Sequence, residues 1–278
     1  MLGRLAMNLG VDPLSLVTWR TLFAVGLIFP ALLLFRRRLL LLPLRSVPLF
    51  APLGLRQAVN FVAFFQAVAR LEVGVAVSLF YVYPVLATVL AWAALREPFS
   101  LQRGLALASA AAGALLVSGL GQGTGSLSLA GIAWCLLAAT SYAAYVLLMK
   151  VSVRGHPPAR VLACSLAFTG LLLLLVQPLG SRSLFTPHPI RAWGVIALLA
   201  LRPTLLGYSL FAAALKRIDL GTASILSTLE PGLASLLAFA ALGERLGSLQ
   251  IVGLVLIVSG AAIAQGRDVR RGRRDRLP

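Results

Sequence analysis

The chain has 278 residues, of which 59% are hydrophobic and only 12% charged, and its mean hydropathy is +0.93. Ordinary soluble domains carry about 25% charged residues, so a soluble globular fold is excluded and an integral membrane protein is indicated. The formal net charge of +17 would suit nucleic acid, but its carriers sit in short segments between apolar blocks and in the C-terminal RDVRRGRRDRLP. Contact with anionic lipid headgroups accounts for them, and no nucleic-acid partner is expected.

Apolar blocks recur along the chain at 14–35, 47–69, 73–95, 103–120, 129–149, 159–178, 190–214, 218–242 and 247–265. Each is close to the roughly 20 residues that a helix rising about 1.5 Å per residue needs to cross the hydrocarbon core. Runs such as LLLLLVQP and GLVLIVSGAAIA do not alternate, so barrel strands are excluded. The expected fold is all-α with nine complete spans. The first residues, MLGRLAMNLG, lack the apolar core of a cleavable signal and read as the end of a further helix.

Seventeen Lys and Arg residues fall on one side of this arrangement, including Arg36 to Arg38, Arg45, Lys150, Lys216 and six in the tail; only Arg70, Arg182, Arg191 and Arg245 fall on the other. The excess of basic residues marks the cytoplasmic side. A multi-pass protein of the cell membrane with a cytoplasmic C-terminus is therefore expected.

The sequence repeats itself. At an offset of 147, residues 70–119 match 217–266 without a gap at 17 of 50 positions, and Arg70, Gly74, Pro84 and Glu97 meet Arg217, Gly221, Pro231 and Glu244. Five spans separate each position from its counterpart, and an odd number reverses direction across the bilayer. The expected organisation is a first repeat over 1–122, a second over 129–266 and a basic cytoplasmic tail over 267–278. Two inverted five-helix repeats make a ten-helix plan in which the first helix is largely missing from this chain. Inverted repeats are typical of secondary transporters, which hold substrate near the midplane.

Several segments carry a resemblance: DPLSLVTWRTLFA at 12–24, FFQAVARLEVGVAVSLFYVYPVLA, LFAAALKRIDLGTASILSTLEPGLA, and the endings ALREP and ALGER. In this order and doubling they resemble the EamA-type members of the drug/metabolite transporter superfamily. The resemblance covers nearly the whole chain. It implies a ten-helix permease or exporter of small metabolites or drugs working by alternating access. Its central cavity would be lined by helices one, three, four, six, eight and nine.

Polar residues inside the spans are the candidates for a site. Glu230 immediately precedes Pro231, and a carboxylate near mid-span costs about 3 kcal/mol on insertion scales. It could pair with an arginine, exchange a proton, bind a substrate amine or lie nearer an interface. Pro231 and Pro84 each remove a helical hydrogen bond, freeing the carbonyls of Ser227 and Phe80. The two prolines are either packing kinks or paired hinges. Arg56 and Arg202 occupy nearly equivalent places in the repeats; facing inward they would favour an anionic or zwitterionic substrate, and otherwise they snorkel to an interface. Arg20, beside Trp19, is expected near the outer interface.

Asn60, Gln66, Tyr81, Tyr83, Trp134, Ser141, Tyr142, Tyr145, Tyr208 and Ser227 complete the set of cavity candidates. Ala106, Ala110, Ala114, Gly253 and Gly260 present small faces for close helix contact. Cys135 and Cys164 are expected to be packing residues, and His156 and His188 lie on opposite sides, so no metal site is expected. The glycines of GQGTGSLS follow a transmembrane helix and read as a loop. Without a GxxxxGK[ST] motif, transport would run on gradients.

No cofactor and no enzymatic activity are expected. The partners would be a small-molecule substrate and the lipid bilayer, with a homodimer left open. Two alternatives stand beside transport. One is a regulatory or lipid-interacting membrane protein that does not transport; the other is a membrane-embedded lipid enzyme.

Overall fold

The chain is described here by a computed structural model covering residues 2–39, 47–97, 100–117, 128–179, 188–233, 236 and 247–274, with side chains to residue 263 in the last segment. In chain order the helices are α1 (Leu2–Asn8), α2 (Pro13–Arg36), α3 (Val47–Arg70), α4 (Val73–Phe80), α5 (Tyr83–Leu95), α6 (Leu101–Val117) and α7 (Leu129–Gly155). They continue as α8 (Pro158–Val176), α9 (Ile190–Leu199), α10 (Tyr208–Leu215), α11 (Leu220–Ser227) and α12 (Ser248–Arg274), with a π-helical stretch Ala200–Gly207 joining α9 to α10.

Among the described residues six helical stretches are long and apolar enough to cross a membrane: Pro13–Leu39, Val47–Arg70, Val73–Leu95, Leu129–Gly155, Pro158–Val176 and Ile190–Leu215. Leu101–Val117 and Ser248–Ile263 are apolar but shorter. The expected span at 218–242 lies partly outside the described residues.

The helix boundaries follow from local chemistry. Asp12 starts α2 by accepting hydrogen bonds from the N–H groups of Leu14 at 3.0 Å and Ser15 at 3.2 Å, and Pro13 fills the first position, where a missing N–H costs nothing. Ser128 caps α7 through the Gly131 N–H, and Asp219 caps α11 through the Thr222 N–H at 2.7 Å.

Interior prolines mark the interruptions. Pro203, which has no N–H to give, falls inside the π-helical stretch Ala200–Gly207, and the Thr204 hydroxyl donates to the Leu199 carbonyl at 2.9 Å. Helix α4 stops at Phe80, and the chain turns at Tyr81 and Val82 before α5. Helix α11 stops at Ser227, turns at Thr228 and resumes over 229–233. Tyr81 and Thr228 are counterparts at the 147-residue offset, and each lies three residues ahead of its proline.

The described helices fall into two compact units. Unit one comprises Met1–Val73 and Ser128–Arg217; unit two comprises Gly74–Leu127 and Ile218–Pro278. Each draws on both halves of the sequence.

In unit one α3 packs along α7 and α8, while α2 lies on α8 and α3. A Cβ built on Gly54 of α3 would come within 2.3 Å of the Phe168 Cβ of α8, so this crossing requires glycine. The Thr169 hydroxyl bonds the Gly54 carbonyl at the same crossing.

In unit two α6 lies along α12 at comparable closeness. A Cβ on Gly113 would meet the Gly253 carbonyl at 2.5 Å, and Ala106, Ala110 and Ala114 are fully buried. Ser109 adds a 2.8 Å hydrogen bond to the Leu256 carbonyl. Small residues thus let the two backbones touch and polar side chains bond across them, as expected in lipid, where no hydrophobic effect drives helix association.

Candidate functional site

In unit one, α2 carries Arg20 as its eighth residue, about 10 Å along the helix at ~1.5 Å per residue. Its polar neighbours are satisfied. The Thr18 hydroxyl lies 2.8 Å from the Leu14 carbonyl and 3.1 Å from Gln177 Oε1, Gln177 Nε2 donates to Ser15, and Thr21 bonds the Val17 carbonyl.

Arg20 is different. It is only 6% exposed, its guanidinium carbon lies 4.0 Å from the Phe61 ring centre and 5.6 Å from that of Phe65, and its buried Nε has no hydrogen-bond partner among the described residues. The only ion pair among those residues joins Arg103 to Asp219 in unit two. A desolvated cation–π contact is worth ~2 kcal/mol, whereas withdrawing an ion from water costs several kcal/mol even after relaxation. The rings alone leave Arg20 under-compensated.

Phe61 belongs to a face of α3 that also carries Gln57 and Asn60, since residues three and four apart lie on one side of a helix. Gln57 is fully buried and Asn60 is 4% exposed. Both amide atoms of Gln57, and Oδ1 of Asn60, lack partners among the described residues. Each orphaned polar atom costs about 1–3 kcal/mol.

The Phe61 ring lies 6.2 Å from Tyr208 of α10. Tyr208 in turn meets Tyr142 at 6.4 Å and Tyr145 at 5.8 Å, the latter two stacked at 5.9 Å on α7. The Tyr145 and Ser165 hydroxyls are buried and turned toward each other. One cation, two amides and a group of aromatic rings therefore gather inside unit one, with hydrogen-bonding capacity left over. Such a set can accept an anionic group on the guanidinium and a donor on the amide oxygens.

Of the residues singled out in the sequence, Asn60, Tyr142, Tyr145 and Tyr208 come together here. Arg56 and Arg202 are exposed, and no side-chain hydrogen bond or ion pair ties either to the cluster among the described residues; the Arg56 carbonyl accepts from Ser141. Trp134 is half-buried on α7. Gln66 is engaged by Arg70 at the end of α3.

Arg20, expected near the outer interface, turns its side chain inward onto Phe61. Its neighbour Trp19, read as an interface marker, packs edge-on against Trp193 at 4.9 Å. A separate cavity of about 310 Å³ lies by the start of α2, lined by Arg4, Asn8 and Asp12 among others.

Unit two holds the other candidates. Tyr81 and Tyr83 are buried, with ring centres 6.0 Å apart, and the Tyr81 hydroxyl is directed at the Glu230 carboxylate. Glu230 itself is exposed, whereas Pro84 and Pro231 are buried. The Ser227 hydroxyl is bonded within its own helix to the Ala223 carbonyl at 2.9 Å.

Sequence reading gave Glu97 of ALREP no task, yet it has one. Its carboxylate accepts from the N–H groups of Leu220 at 2.9 Å and Gly221 at 3.1 Å, closing the start of α11. Beside it, in the turn ahead of α11, Asp219 pairs with Arg103. Burial pushes the Asp219 carboxyl up, but bonds from Thr222 and the Arg103 charge outweigh it and hold the group below its ordinary value.

The sequence profile of the EamA-like transporter family matches residues 1–119 and again 129–265. The chain belongs to the EamA-like transporter family. This EamA-like chain is 30% identical over 204 residues to the uncharacterized transporter YwfM of Bacillus subtilis strain 168, a match covering 72% of this chain and 67% of that protein. It is 32% identical over 145 residues to the threonine/homoserine exporter RhtA of Escherichia coli K12, covering 51% of this chain and 47% of the exporter.

The matched stretch thus spans about half the length of that exporter. A solved crystal structure 20% identical in sequence shares the fold, with a TM-score of 0.79 over 96% of this chain and 92% of the other. The EamA-like chain is accordingly a multi-pass, all-α membrane transporter of the two-repeat plan, and not an enzyme.

Proposed function

We propose that the chain is a secondary transporter that moves a small metabolite across the cell membrane by alternating access. The observation that carries this reading is the buried, unpaired Arg20 among Gln57, Asn60 and Tyr208: polar groups held in an apolar span at a net cost are the mark of a substrate path. Similarity to a threonine/homoserine exporter supports amino acids as the first substrates to test.

In this reading the two repeats over 1–122 and 129–266 supply the substrate path, with Arg56, Asn60, Tyr81, Tyr83, Trp134, Tyr142, Arg202, Tyr208, Ser227 and Glu230 as its contributors and Pro84 and Pro231 as hinges. The helix interruptions at Tyr81 and Thr228 support the hinge assignment. The tail over 267–278 is cytoplasmic, on the positive-inside count. A homodimer is the assembly to test by the mass of the detergent-solubilised protein.

Uptake into proteoliposomes, scanned over amino acids, nucleobases, sugars and cationic drugs, tests transport. Flux above protein-free vesicles for at least one class is expected; none for any class contradicts the proposal. Labelling of Ser46→Cys or Gly266→Cys from outside an intact cell would overturn the orientation.

A further inference from the structure

We infer that Arg20 is the anchor for the carboxylate of the transported solute, with the α3 amides of Gln57 and Asn60 receiving an adjacent hydrogen-bond donor and the Phe61 and Tyr208 rings flanking its apolar body. This deepens the transporter reading and rests on it. Arg20 sits 4.0 Å from the Phe61 ring centre, and Phe61 lies 6.2 Å from Tyr208. Gln57 is one helical turn before both Asn60 and Phe61, at the i+3 and i+4 positions, so the unpartnered amide of Gln57 is neighbour on α3 to the ring that the guanidinium covers and to the unpartnered Oδ1 of Asn60.

The chemistry selects the ligand. A guanidinium presents a planar fork of donors that matches a carboxylate bidentately. Asp12, the acid nearest in sequence, lies eight residues before Arg20, about 12 Å along the helix at ~1.5 Å per residue; its Oδ1 caps the start of α2, its Oδ2 has no partner among the described residues, and no ion pair joins it to Arg20. The guanidinium Nε is buried and has no hydrogen-bond partner among the described residues, so the head of Arg20 keeps donor capacity for a ligand. Side-chain acceptors at Gln57 Oε1 and Asn60 Oδ1 suit a hydroxyl or ammonium on the carbon beside the carboxylate. The rings favour an apolar or aromatic body over a sugar or a second charge.

The test measures binding directly, so that failure of transport and failure of this assignment are separable. The whole detergent-solubilised chain is titrated calorimetrically with L-phenylalanine, 3-phenyllactate and 3-phenylpropionate, and with the carboxamide of each. Carboxylates are expected to bind at least about 100-fold more tightly than their carboxamides, the scale of losing a partner of a buried charge.

Arg20→Met is expected to abolish that preference while the melting temperature stays level or rises, because an uncompensated buried cation is removed. Arg20→Lys should recover part of the preference. Equal binding of acid and amide, no binding of any carboxylate, or an Arg20→Met protein that retains the preference would overturn the assignment. So would a lowered melting temperature in both variants with the preference intact in Arg20→Lys, which would make Arg20 a packing residue. If the carboxylates bind as expected and proteoliposomes show no flux, the anchor stands and the transport reading falls.

Discussion

Removing the Glu97 carboxylate should destabilise the chain by an amount that can be worked from the geometry. The side chain accepts from two N–H groups at the start of α11, at 2.9 and 3.1 Å, and the residues that carry them, Leu220 and Gly221, are buried. Glu97→Ala leaves both donors without their acceptor. At about 1–3 kcal/mol per orphaned buried donor, plus ~0.3–1 kcal/mol for an anion at a helix N-terminus, the upper bound is near ~7 kcal/mol. Water reaching the half-buried Glu97 position would satisfy part of this, so a loss of ~2–4 kcal/mol is expected.

Glu97→Gln retains one good acceptor and should lose about half as much. Thermal and denaturant unfolding in detergent measure the loss. Amide hydrogen exchange localises it, and should accelerate at Leu220 and Gly221 ahead of Thr222, whose N–H is bonded to Asp219. If Glu97→Ala unfolds with the parent chain to within about 0.5 kcal/mol, the size of an ordinary surface substitution, the capping argument is refuted.

Pro84→Ala and Pro231→Ala should each restore a helical bond at the Phe80 or Ser227 carbonyl, leave folding intact and slow transport, read as uptake beside melting temperature; unchanged uptake with lowered stability would assign both prolines to packing alone. Thr204→Val removes the hydroxyl that donates to the Leu199 carbonyl in the π-helical stretch and should cost about 0.5–1.5 kcal/mol in detergent unfolding, with Thr204→Ser recovering most of it. Asp219 is held below its ordinary value, so its pairing stabilises the fold above the unfolded carboxylate value of about 3.9 and fades as pH falls through the lower folded value. Asp219→Asn should therefore melt lower at neutral pH and lose less than the parent on acidification; identical pH profiles would contradict the Arg103 pairing.

Composition and length carried most of the fold. Apolar runs gave the helices, and the paired prolines at an offset of 147 marked the places where they break, because a missing N–H acts locally and leaves its trace in one residue type. The site was less legible. Asn60, Tyr142 and Tyr208 were singled out by side-chain type and by the helices that carry them, whereas Arg20 was placed only by depth, from its neighbour Trp19, and its burial against Phe61 was not foreseen.

Helix α2 is apolar on all sides, so periodicity could not say which face of it meets protein and which meets lipid. Arg56 and Arg202 drew notice through their equivalence in the repeats, which fixes a position along the helix and says nothing about its rotation. Glu97 was visible only as part of ALREP, because the donors it serves lie more than 120 residues away.

Solute counterflow tests the central claim most directly. Proteoliposomes holding the whole chain are preloaded with an unlabelled amino or hydroxy carboxylate and exposed to a trace of the labelled form, with protein-free and Arg20→Met vesicles alongside. The account predicts transient accumulation of label inside parent vesicles and none in either control. Equal label in parent and protein-free vesicles for every carboxylate would contradict transport by this chain, and accumulation undiminished in Arg20→Met would remove Arg20 from it.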